Sequence, residues 1–158
     1  MIKRVFYLIC LLLILNLQVI AQDHSPATIE ILVEGLYNPV GMARLPNGNL
    51  LIAEEGSGNG DLSAGVSMML PDGTIGRLIS QFPSGRDAGD LSGIPLVSVS
   101  PDGETIYVGN FNATHLWTLP TSEAQILPEI PFTPDDLGIA MERFNNVFLV
   151  NPFDMTYD

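Results

Sequence analysis

The sequence predicts an all-β protein, specifically a β-propeller of four-stranded antiparallel blades with about three blades present. Three observations point there. Beyond residue 21 no stretch carries a helical period, and short apolar runs alternate with turn signals drawn from 15 glycines and 12 prolines. A strand-turn-strand unit recurs along the chain. The second strand of each unit (Leu50 to Ala53, Ile106 to Val108, Val147 to Val150) is apolar without alternation, as a strand buried on both faces would be.

The chain opens on a different pattern. Lys3 and Arg4 precede an unbroken apolar run from Val5 to Leu15, and Val19-Ile20-Ala21 supplies short residues before Gln22. This is the layout of a secretory signal cut after Ala21. The apolar run is too short for the roughly 20 residues that span a bilayer, and Asn16 and Gln18 stop its extension. Residues 1–21 are thus expected to be removed and 22–158 to form a partial propeller domain, secreted or periplasmic, with no stable membrane insertion. An uncleaved N-terminal anchor is the alternative.

Two of the six basic residues lie in that leader, so four stand against 18 acidic ones and the mature net charge is −14. Only Arg44, Arg77, Arg86 and Arg143 remain. Such a surface repels phosphate backbones and anionic lipid, which disfavours nucleic-acid binding and suits attraction of cations. The single cysteine, Cys10, belongs to the leader, leaving the mature chain without disulfide, thiol nucleophile or cysteine metal site.

The first repeat unit runs Gly41-Met-Ala-Arg-Leu-Pro-Asn-Gly-Asn-Leu-Leu-Ile-Ala-Glu54, and the second runs Val97-Ser-Val-Ser-Pro-Asp-Gly-Glu-Thr-Ile-Tyr-Val-Gly-Asn110. A more worn copy spans Gly138 to Asn151. Their turns, Asn47-Gly48, Asp102-Gly103 and Asn145-Asn146, use residue types that tolerate the positive φ of a hairpin. The steps between copies approach the ~40–50 residues of a propeller blade. Val66 to Leu70 and Thr74 to Ile79, joined by Pro71-Asp72-Gly73, supply a second hairpin that completes the first blade. His115 to Leu119 begins the outer hairpin of the next. Closed propellers use roughly 4–8 blades. About three therefore imply a fragment of a longer protein, the preferred expectation, or several chains self-associating to close a ring.

Several residues are candidates for chemistry. Aligned end to end, the repeats place Glu54, Asn110 and Asn151 just after the apolar strand, where successive blades would converge on a central channel. A carboxylate and two amides are hard oxygen ligands suited to calcium; the competing role is capping of backbone N–H groups. The acidic, glycine-rich stretch Glu54 to Leu62 is expected as a flexible surface connection that could hold a cation through Glu55 and Asp61. His115 and Trp117 share a strand face, which suggests a base or a stacking platform, with a structural role preferred. Asp135-Asp136 and Asp87…Asp90 lie in polar connections and could serve as acid and base only if burial raised one pKa. Asn112-Ala-Thr114 matches a glycosylation sequon.

Gly35-Leu-Tyr-Asn-Pro-Val-Gly-Met-Ala followed by Pro-Asn-Gly-Asn-Leu-Leu-Ile-Ala-Glu-Glu-Gly resembles the opening blade of the ScyD/ScyE family, exported propellers related to NHL and SMP-30/gluconolactonase-type proteins. Pro71-Asp-Gly, Arg77-Leu-Ile-Ser and Phe82-Pro-Ser-Gly extend the likeness over most of the mature chain. The resemblance implies a six-bladed ring and carries no catalytic residues over. The leading expectation is a module that binds a small molecule or an exported protein without catalysis of its own. The alternatives are a calcium-dependent lactonase-like hydrolase or sugar-oxidising enzyme, and a truncated piece with no function.

Overall fold

The computed structural model describes residues 28–111 and 115–141. The chain divides into two units, Met1–Ile31 and Leu32–Asp158. In the first, only residues 28–31 are described, and they form no regular element. The expected signal (residues 1–21), the sequon and Asn151 lie outside the described residues.

The second unit is all-β. Among its described residues nine strands, β1 Pro39–Arg44, β2 Leu50–Glu54, β3 Asp61–Met69, β4 Ile75–Asp87, β5 Asp90–Ser92, β6 Leu96–Val99, β7 Thr105–Asn110, β8 His115–Pro120 and β9 Gly138–Met141, are accompanied only by two short 3-10 turns, Thr121–Ala124 and Pro134–Asp136. They make two antiparallel sheets, ordered β1-β2-β3-β4-β5 and β6-β7-β8-β9, in which every strand pairs with its sequence neighbours. The hairpin signals read from the sequence are realised as one repeated turn. In each, a glycine N–H reaches back to a backbone carbonyl at 2.9 Å: Gly48 to Leu45, Gly73 to Leu70, Gly103 to Ser100. Asn47, Asp72 and Asp102 each accept the N–H two residues on, at 2.9–3.0 Å. The three glycines have φ of 94, 88 and 76°, a region closed to most side chains.

One expectation is corrected. Gly138–Met141 was to open a third blade, but it pairs with β8 as the fourth strand of the second sheet, Trp117 opposite Ile139. The reason lies in the connector. In the first sheet β3 turns directly into β4, whereas after β8 the chain makes a long detour through residues 121–137 before returning. Without β9, β8 would end the sheet as an open edge. The described residues therefore hold two sheets, and the rest of the third repeat, from residue 142 on, lies outside them.

The detour braces both sheets. Asn49, buried, donates to the carbonyl of Ala124 at 2.8 Å, and Thr121 N–H donates to Glu104 O at 2.9 Å. Phe132 then lies parallel to β4, giving its N–H to Leu78 O and accepting from Ser80 N–H at 2.9 and 2.8 Å.

The two sheets share one core. Leu51, Ala53, Val66, Met68 and Ile79 of the first sheet belong to a single buried cluster with Val97, Ile106, Val108, Trp117 and Leu119 of the second. Phe82 and Trp117 meet edge to face with centroids 4.7 Å apart, a geometry favoured by the ring quadrupoles. β1 and β6 lie side by side, with Gly41 so close to the Pro95 carbonyl that a Cβ would have no room. One of the two sheets is strongly curled. Register shifts between β3 and β4, with Gln81 at φ 63°, bend the first sheet locally.

Candidate functional site

β4 outlasts its pairing with β3 and turns back into β5 through Ala88-Gly89, with Arg86 opposite Leu91 and Asp87 opposite Asp90. Both turn residues have positive φ, 48 and 98°, which is the tight hairpin turn whose twist suits its strands. Arg86 closes over it, Nη1 donating to Gly89 O at 3.0 Å. This hairpin forms one wall of a cleft of about 650 Å³. Val40, Leu91 and Phe111 give the cleft apolar surface; Glu55, Asp87 and Asp90 give it carboxylates.

The opposite wall is held by backbone contacts. Glu55 N–H donates to Asn38 O at 3.1 Å, and Glu55 O accepts the Ser84 hydroxyl at 2.6 Å. Gly93 packs directly on the Glu55 carbonyl, where any Cβ would collide, and its own carbonyl accepts Phe111 N–H at 2.8 Å. One glycine thus fixes two lining residues. The glycine-rich stretch, expected as a flexible surface connection, is instead tucked in at its start. Gly56 and Gly58 are buried, Gly58 N–H donates to Ser84 Oγ at 2.8 Å, and Leu91 occupies the space a side chain at Gly58 would need.

The carboxylates of that stretch diverge. Burial, reinforced by the charge of Asp90, pushes the Glu55 carboxyl above its usual range. Asp61 turns instead to the hydroxyls of Ser57 and Ser63, which hold its pKa below the ordinary value. The Glu55–Asp61 combination expected for a cation is not what the fold assembles around the cleft; Asp87 and Asp90 accompany Glu55.

Glu54 is buried at 1 % exposure. Its Oε1 accepts Ser67 Oγ at 2.5 Å and Arg77 Nη1 at 2.7 Å, while Oε2 accepts Tyr37 N–H at 2.6 Å. Asn110 is also buried, and its side-chain amide donates to Pro83 O at 3.2 Å, tying the second sheet to β4 of the first. The two are not equivalent positions. The core residues Leu51 and Ala53 of β2 match Ile106 and Val108 of β7, a step of 55, so Glu54 corresponds to Gly109 and Asn110 to Glu55. Strand alternation then sets Glu54 on the face of Ile52, away from the shared core, and Asn110 on the face of Ile106 and Val108. End-to-end alignment hid this because the first hairpin carries one residue more between its core positions: Ala43 opposes Leu51, and Val99 opposes Ile106. Among the described residues no three of His, Cys, Asp and Glu come close enough to hold a metal ion.

His115 and Trp117 do share a face, with rings 5.3 Å apart, but Trp117 is 7 % exposed and edge-on to Phe82, so its ring belongs to the core. Asp136 caps the second 3-10 turn, accepting Thr133 N–H at 2.8 Å, which lowers its pKa. No helix among the described residues is long and apolar enough to cross a membrane.

No family model, curated protein or solved structure matches the chain.

Proposed function

We propose that this chain is an exported β-propeller module of the ScyD/ScyE kind that binds a small molecule in the cleft between the β4–β5 hairpin and Glu55, without catalysis of its own. The observation that carries the proposal is the cleft itself. Its volume of about 650 Å³ falls within the range of small-molecule sites, and it combines an apolar lining with a few charged groups. The propeller assignment draws support from two sequential antiparallel sheets stacked on one core with their first strands side by side. In such an architecture ligands collect where strand ends and loops surround the inner strands. Export rests on the leader-like sequence of residues 1–21, and self-association on the propeller needing further blades.

The experiment is a small-molecule fragment screen against the mature chain, read by amide chemical shifts. Fragments that move Glu55, Leu91 and Phe111 together are the expected result. A screen whose responses all lie elsewhere removes this cleft from consideration. Mass spectrometry of protein collected from the exported fraction tests the cut after Ala21.

A further inference from the structure

The chemistry of the cleft walls narrows the ligand, on the reading that the cleft is the binding site. Three carboxylates line it against one guanidinium. That guanidinium, Arg86, is turned onto Gly89 O of its own hairpin, which occupies one of its donors. Of these acids, Glu55 is partly buried, which disfavours its charge, and the charge of Asp90 adds to that penalty. A cation set between them removes both penalties. A bare metal ion suits the site poorly. Calcium asks for about 6–8 oxygens, whereas the side chains of Val40, Leu91 and Phe111 offer none, and no metal-holding trio exists among the described residues. An organic ammonium asks for less. Its N–H groups need two or three acceptors, its carbon body gains from apolar walls, and an aromatic ring attracts positive charge.

We propose that the cleft is a site for a small organic cation of the alkylammonium class, its charged head at Glu55 and Asp90 and its hydrocarbon part against Leu91 and Phe111. Charge and shape act together here. The large negative charge of the chain raises the local concentration of any cation, and the apolar lining selects those that carry carbon.

The test uses three matched probes on the mature chain: butylammonium, butanol and butyrate, each titrated while amide shifts of residues 55 and 86–91 are followed. Butylammonium is expected to saturate at a concentration at least about tenfold below butanol, the advantage typical of a charge-assisted hydrogen bond. Asp90→Asn should abolish that advantage without lowering the melting temperature; Asp87→Asn serves as a second variant if the first fails to fold. Equal affinity for butylammonium and butanol, or tighter binding of butyrate through Arg86, overturns the cation inference and leaves the cleft a binding site. If none of the three probes moves these amides, the cleft reading falls and the inference with it.

Discussion

Of the two adjacent carboxylates at the end of β2, Glu54 is enclosed by Arg77, Ser67 and the Tyr37 N–H, while Glu55 lines the cleft, where the charge of Asp90 acts on it. Strand geometry separates them, since successive side chains leave opposite faces. Opposite outcomes on substitution follow. Glu54→Ala strips a buried ion pair of one partner and leaves the Arg77 guanidinium uncompensated, an expected loss of about 3 kcal/mol in chemical denaturation. Glu54→Gln, which keeps the shape, should recover part of it. Because the folded state raises the Glu55 pKa, the native chain binds its proton more tightly than the unfolded one. Stability therefore falls as pH rises from the usual glutamate value of 4.5 through the folded value. Glu55→Gln removes that slope: the variant should melt higher than the parent at neutral pH, and the two curves should converge in acid. Asp61, Asp72, Asp102 and Asp136 act with the opposite sign. Their lowered pKa values give stability above the unfolded value that is lost as pH falls through the folded one.

At the level of strands and turns, the chain declares most of itself. Pro46-Asn47-Gly48, Pro71-Asp72-Gly73 and Pro101-Asp102-Gly103 were visible as turns, and each folds with the same hydrogen bonds because an Asx side chain and a glycine leave the backbone few options. The unbroken apolar β2 and β7 were visible as buried strands for the same kind of reason. The Ala88-Gly89 turn was not, since it sits within a polar run and its strand β5 has only three residues. The cleft went unseen with it. Its lining comes from four separate places in the chain, joined by the fit of Gly93 against Glu55, and no local pattern encodes such a contact. The equivalence of Glu54 and Asn110 was misjudged because one extra hairpin residue flips a side chain to the other face. Gly93→Ala is accordingly expected to lower the melting temperature and to shift the Glu55 and Phe111 amides together; a change confined to residues 92–94 would show that the contact is slack. Phe82→Ala, which empties the joint between the sheets, should cost about 3–5 kcal/mol.

For the whole molecule, charge and open surface set the behaviour. With 18 acidic residues against six basic ones, self-repulsion opposes compaction. Raising salt from about 10 mM to about 150 mM shortens the screening length from roughly 30 to 8 Å, so the melting temperature is expected to climb over that interval; a flat response would mean that the acids are locally compensated. The face of the first sheet turned away from the shared core carries Met42, 70 % exposed, and Ile75, 38 % exposed, on either side of the Glu54–Arg77 pair. Under the propeller proposal a neighbouring blade covers this face. If a second copy supplies that blade, residues 22–158 should self-associate in sedimentation, and Met42→Glu should return them to a monomer of unchanged fold. A wild-type monomer at high concentration would refute that closure.

The clasp between Asn49 and the carbonyl of Ala124, 75 residues further on, also imposes an order on assembly. Each hairpin joins neighbours in sequence and closes only a short loop, a step of microseconds. The clasp must wait until the connector has been made and delivered. A chain emerging from an export channel in the direction of its synthesis would therefore build the first sheet before anything held its Pro46–Asn49 turn in place. Pulsed hydrogen exchange during refolding should find the β2–β3 amides protected ahead of Phe132 and Thr121, leaving the connector the last part of the molecule to close.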